Sequence, residues 1–186
     1  GISFQWQQSH YFKRVNDLLG GAFYVDWNQF AENNLVTDQT GLQNDLNHPN
    51  RILGKADVYG YDYLVETNLA KAWAQIVSTK KQVDLFVAAE LSYTNYLRDG
   101  RMRTGLFPYN SFGRSGLNEF TNYAYKAGIT YKINGRKYIY LHAAIMTKAT
   151  LFDNVFVSPR TRDTEQDSIN SEKIQTYKEG SLSNAT

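Results

Sequence analysis

Arginine dominates the residues able to do chemistry in this sequence. Arg101, Arg103, Arg114, Arg160 and Arg162 fall outside the alternating stretches, with Tyr109 among them. Guanidinium groups bind carboxylates and phosphates through forked, charge-assisted hydrogen bonds. These six loop residues are therefore the candidate ligand contacts. Arg98 stands at the edge of the same group, and Asp99, Glu119, Asp153, Asp163 and Glu165 are close enough in sequence to offer local ion pairs instead. No other constellation points to a reaction. His10, His48 and His142 are far apart, without zinc-ligand spacing. Asp26, Asp38, Asp45, Asp153, Asp163 and Asp167 lack the order of a calcium loop. Asp84 and Glu90 share a strand face but have no third partner to set an acid against a base. No nucleophile elbow, phosphate loop or dinucleotide fingerprint occurs. The chain has no cysteine, which removes disulfides, thiolate metal sites and a cysteine nucleophile. The expectation is a protein that is not an enzyme, with no catalytic residue, metal or cofactor.

The elements that must position these loops are strands. Period-two alternation runs from Val83 to Arg98, with Val83, Leu85, Val87, Ala89, Leu91 and Tyr93 on one face and Asp84, Glu90, Ser92 and Thr94 on the other. Asn118 to Ile133 alternates in the same way, with Tyr123, Tyr125, Ile129 and Tyr131 together. Lys137 to Ala149 follows, with Ile139, Leu141, Ala143 and Ile145 together. Asn134-Gly135 between them is a strong hairpin signal, because both residues tolerate positive φ. Extended segments are also expected from Ile2 to about Phe12, from Ile52 to Val77 with a break near Glu66 to Ala70, and from near Glu172. Gln29 to Asn34 and Asp163 to Lys173 are the only helix candidates.

Connections alternate between short (78–82, 134–135) and long (13–51, 99–117, 150–171). This predicts an all-β, antiparallel up-and-down meander of about six long strands. Such long loops are anomalous in a compact domain but normal on the outer face of a membrane barrel.

The 186 residues carry 20 Lys plus Arg against 18 Asp plus Glu, a net charge of +2 that argues against a nucleic-acid partner. No apolar run reaches the ~20 residues of a transmembrane helix. Aromatic residues make up 15% of the chain, including 14 Tyr. Tyr59, Tyr61 and Tyr63 alternate, as do Tyr123, Tyr125 and Tyr131, and amphipathic rings favour a membrane–water interface. Tyrosine also suits a soluble sheet. A soluble β-sheet module binding carbohydrate or protein is therefore the alternative. The two readings differ in whether Leu85, Val87, Leu141 and Ile145 enter a closed core or form an outward belt.

A series of landmarks resembles the barrel domain of TonB-dependent outer-membrane receptors, in the branch with an N-terminal carboxypeptidase-regulatory-like domain. The landmarks are His10-Tyr11 with Val15 to Asp26, Tyr59-Gly60-Tyr61-Asp62-Tyr63, Asn122-Tyr123 with Lys126 to Arg136, Phe152 to Arg162, and Ser171 to Ile174. Lys148-Ala149-Thr150 and Lys178-Glu179-Gly180-Ser181 depart from the family pattern. The resemblance implies that residues 1–186 are part of a transmembrane barrel of about 22 strands, located in the outer membrane. A separate plug domain, the rest of the barrel, membrane lipid, TonB acting through a segment outside this chain and an extracellular ligand would be its partners. That ligand would be a siderophore, cobalamin, a glycan or a peptide. The N-terminus shows no signal-peptide pattern, and both ends fall inside alternating stretches, so a fragment is expected.

Overall fold

In the computed structural model, residues 1–34 and 38–183 are described. Six long strands form one antiparallel sheet: β1 (Ile2–Arg14), β2 (Val58–Thr79), β3 (Val83–Gly100), β4 (Asn118–Lys132), β5 (Lys137–Lys148) and β6 (Glu172–Ser183). Each pairs with its neighbours in chain order, which is the expected up-and-down meander. The sheet is open, not a closed barrel, and β1 and β6 are its edges.

β2 runs without interruption through 66–70, in continuous register with β3 from Tyr63↔Gly100 to Thr79↔Asp84. The expected break is displaced to its loop end. There the register with β1 jumps from Phe12↔Asp62 to Lys13↔Tyr59, leaving Gly60 and Tyr61 as extra residues. Gly60 has φ +74°, a backbone state that glycine adopts without a Cβ penalty. The phase change in the side-chain pattern at 66–70 reflects a change in what covers the sheet, not a change in its backbone.

The β4–β5 hairpin forms as expected but by another turn. Neither Asn134 nor Gly135 has positive φ. Instead the Asn134 side-chain oxygen accepts from the backbone N–H groups of Arg136 and Lys137, both at 2.9 Å, and the N–H of Ile133 donates to the Lys137 carbonyl at 2.9 Å. The asparagine thus caps a slightly longer turn through its side chain.

One helix candidate holds: α1 spans Gln29–Asn33, with the Asn28 side chain accepting from the N–H groups of Phe30 and Ala31. A second short helix, α2, spans Gln39–Leu42. The candidate at Asp163 to Lys173 is not helical. It holds a bridge between Phe156 and Glu165 and the start of β6.

The registers assign every strand residue to a face. One face carries Ile2, Phe4 and Trp6 on β1, Ala72 and Ile76 on β2, Leu85, Val87, Leu91 and Tyr93 on β3, Tyr123, Tyr125 and Ile129 on β4, and Leu141 and Ile145 on β5. Leu85, Val87, Leu91 and Leu141 are 42–59% exposed, so this apolar belt is not a closed core. The opposite face is richer in polar residues, although Trp73, Val77 and Phe86 also lie on it. Lys132 and Asp84 pair across it at 2.7 Å, and Phe86 and His142 lie either side of Gly128. The long loops fold over this polar face at their end of the sheet, where Val155 and Phe156 bury themselves against Phe120 and Tyr96.

Candidate functional site

The loop end of the sheet is built around a few buried polar groups. The Asp26 carboxylate is 2% exposed and accepts from Asn44 Nδ2 at 2.8 Å and Arg51 Nη2 at 3.0 Å, tying the loop between β1 and β2 together. Asp45 does the same for the next loop. It accepts from the Arg103 N–H at 3.1 Å and from His48 Nδ1 at 2.8 Å. A Cβ at Gly105 would sit 1.8 Å from the Thr40 carbonyl oxygen, so only glycine lets these two loops approach.

Arg98 is the third anchor. It is 2% exposed, lies over the Tyr63 ring at 5.2 Å, and donates from Nε to Pro159 O at 2.6 Å and from Nη1 to Ser111 O at 3.1 Å. Burial lowers its pKa, opposed by nearby Asp163, but a guanidinium stays charged in proteins. Tyr63 is stacked on Tyr11 at 5.2 Å, and its phenol is pushed up to about 12, by burial first and then by the Asp153 carboxylate. Tyr63 therefore belongs to the buried base of the loops rather than to a membrane interface.

Above this base lies a cleft of about 750 Å³, between the β1–β2 loop, the bulge at Gly60 and the Arg160–Thr161 segment. Tyr24, Trp27, Tyr59 and Tyr61 supply aromatic walls, and Lys13 and Arg160 supply charge. Lys13 Nζ lies 4.6 Å over Tyr59, and the Arg160 guanidinium 5.5 Å over Tyr61. The volume is in the range of small-ligand sites, which pair apolar walls with a few placed polar groups.

Of the six candidate residues, Arg160 lines this cleft. Arg103 and Arg162 hold the loop after β3: Arg103 Nε donates to Pro108 O at 2.8 Å, and Arg162 lies 4.5 Å over Phe107. Arg114 pairs with Glu66 at 2.9 Å on the belt side of the sheet. Tyr109 is 93% exposed at a loop tip, and Arg101 is exposed beside the β2 bulge, where its N–H donates to Asp62 O. The six are therefore spread over the loop end rather than gathered at one point.

No family model, no curated protein and no solved structure matches the chain. The site is thus read from its geometry. Sequence reasoning passed over Lys13, Tyr24 and Trp27. The available signal was that Tyr59 and Tyr61 flank a glycine, the mark of a bulge that turns both rings to one spot. Among the described residues, no group of three His, Asp or Glu side chains is arranged to hold a metal ion.

Proposed function

We propose that this chain forms part of the wall of an outer-membrane β-barrel, in a TonB-dependent receptor that takes up an extracellular ligand. One observation carries the membrane part of the reading: the upper limit of the apolar belt slants across the register. The last apolar belt residues are Trp6 on β1, Ala70 on β2, Tyr93 on β3, Tyr123 on β4 and Ile145 on β5, followed by Gln8, Asn68, Asn95, Thr121 and Thr147. Trp6 pairs with Asn68, Ala70 with Tyr93, Leu91 with Tyr123 and Tyr125 with Ile145, so the boundary descends along β3 as the sheet is crossed. The drift is about 1.5 residues, or ~5 Å, per ~4.8 Å strand spacing. A level slab would cut this sheet so if the strands were tilted by about 45°, close to the 35–45° of membrane barrels. The belt on β3 from Val83 to Tyr93 is about 33 Å along the strand, or about 23 Å in height at that tilt, close to the ~25 Å of the usual apolar band.

The open edges support the same reading. Unpaired backbone groups in lipid cost several kcal/mol each, so a wall segment needs further strands at β1 and β6. The TonB-dependent class and ligand uptake rest on the sequence landmarks alone.

The alternative, a soluble sheet that binds carbohydrate or protein, has one observation in its favour. On β6 the belt positions include Gln175, Glu179 and Ser181 around Tyr177, so the belt is five strands wide and stops there.

Because the chain lacks cysteine, single cysteines introduced at Leu91, Leu141, Ser92 and Thr130 can each carry a fluorophore. In the intact protein in vesicles, labels at Leu91 and Leu141 should be quenched by a lipid-borne quencher and those at Ser92 and Thr130 should not. Equal quenching by an aqueous agent at all four sites would refute the wall assignment. Loss of uptake on deleting TonB tests the receptor class separately.

A further inference from the structure

The cleft combines two features that a general-purpose hollow would not. The first is unspent positive charge. Among the described residues, Lys13, Arg14 and Arg160 make no ion pair, although all three line the cleft. The two carboxylates in its lining are engaged elsewhere: Asp26 with Asn44 and Arg51, and Asp17 with the Leu19 N–H at 2.9 Å. The second feature is ring surface. Lys13 and Arg160 each rest over a tyrosine, and Tyr24 and Trp27 line the same cleft, so a ligand anion meeting either cation lies among aromatic side chains.

We propose that this cleft binds a ring-bearing carboxylate, with Arg160 and Lys13 holding the carboxylate and the aromatic walls formed by Tyr24, Trp27, Tyr59 and Tyr61 packing around the ring. A guanidinium offers the planar fork that a carboxylate matches, and a tyrosine face covers the flat side of a sugar or an aryl group. Arg98 is the positioning residue. Its bond to the Pro159 carbonyl fixes the residue next to Arg160 and so holds that guanidinium over Tyr61. From the transporter reading the inference takes only that the long loops face outward.

The shared chemistry has two sources, acidic sugars and aryl acids. Calorimetry on the intact protein, in detergent where it is membrane-bound, would compare trigalacturonate, its neutral methyl ester and 2-naphthoate. At least one acid should bind, and trigalacturonate should bind at least tenfold more tightly than its ester if the source is a sugar. Tighter binding of 2-naphthoate than of trigalacturonate would assign the site to aryl acids. Arg160→Gln should weaken the binding acid at least tenfold, and Lys13→Gln, which leaves the Arg98 anchor untouched, should weaken it severalfold. Tyr61→Ala should weaken acid and ester alike. Binding of neither acid at millimolar concentration, equal binding of acid and ester without 2-naphthoate binding, or an Arg160→Gln variant of unchanged affinity would each overturn the proposal. Membrane insertion is read by a different assay, so its failure would not be confused with failure here.

Discussion

Arg98 Nε donates to the carbonyl oxygen of Pro159 at 2.6 Å, joining the loop end of β3 to a segment far along the chain. The same guanidinium reaches Ser111 O and lies over Tyr63, so one buried cation gathers two loops and one strand. Hydrogen bonds from a charged donor contribute about 1.5–3 kcal/mol each. Arg98→Met keeps the apolar stem and leaves both carbonyls unpaired. Hydrogen exchange in 158–164 should then accelerate by about tenfold or more, while exchange in the β4–β5 hairpin stays unchanged. Arg98→Lys should not restore protection, because an ammonium lacks the planar fork.

Tyr63 makes the loop contacts sensitive to alkaline pH. Its folded pKa of about 12 lies above the usual 10, so the folded state holds the phenol proton more tightly than the unfolded state. Its contribution is fully present below pH 10 and falls as pH rises from 10 through about 12. A Tyr63→Phe variant should lose the highest-titrating tyrosine signal at 295 nm and show a flatter stability profile over that window.

Gly128 is a packing site on the polar face rather than a turn. A Cβ there would come within 2.5 Å of His142 Nδ1 and 2.9 Å of Phe86 Cδ1. Gly128→Ala should destabilise the sheet by about 1–3 kcal/mol, the usual range for overpacking. Adding His142→Ala should recover much of that loss, and a double-mutant cycle would read the coupling.

The strands were legible because alternation over such lengths leaves little ambiguity: Val83 to Arg98 and Asn118 to Ile133 match β3 and β4 within two residues. The hairpin at Asn134 was legible in place but not in mechanism, since the asparagine acts through its side-chain oxygen. In sequence β2 reads as interrupted at 66–70 because the burial of Tyr63 and Val65 under the loops alters the side-chain pattern there, while the backbone irregularity sits at Gly60. Loop tertiary structure was the least legible part. Arg103, Arg114 and Arg162 look alike in sequence, yet their partners are a proline carbonyl, a glutamate on β2 and a phenylalanine ring. Such partners lie across chain folds that spacing does not encode.

The belt makes the most direct claim on function. Val87 on β3 and Leu141 on β5 lie on it, while Ser92 on β3 and Thr130 on β4 lie on the opposite face of the sheet. Val87→Lys and Leu141→Lys in the full-length protein should each cost roughly 2–4 kcal/mol near the bilayer midplane. The decisive measurement is heat-modifiable gel mobility of these variants from outer-membrane fractions. Loss of the fast-migrating folded band for Val87→Lys and Leu141→Lys, with the band retained for Ser92→Lys and Thr130→Lys, is the expected result. Equal folding of all four variants would contradict the lipid-facing belt and with it the assignment of this sheet to a membrane barrel.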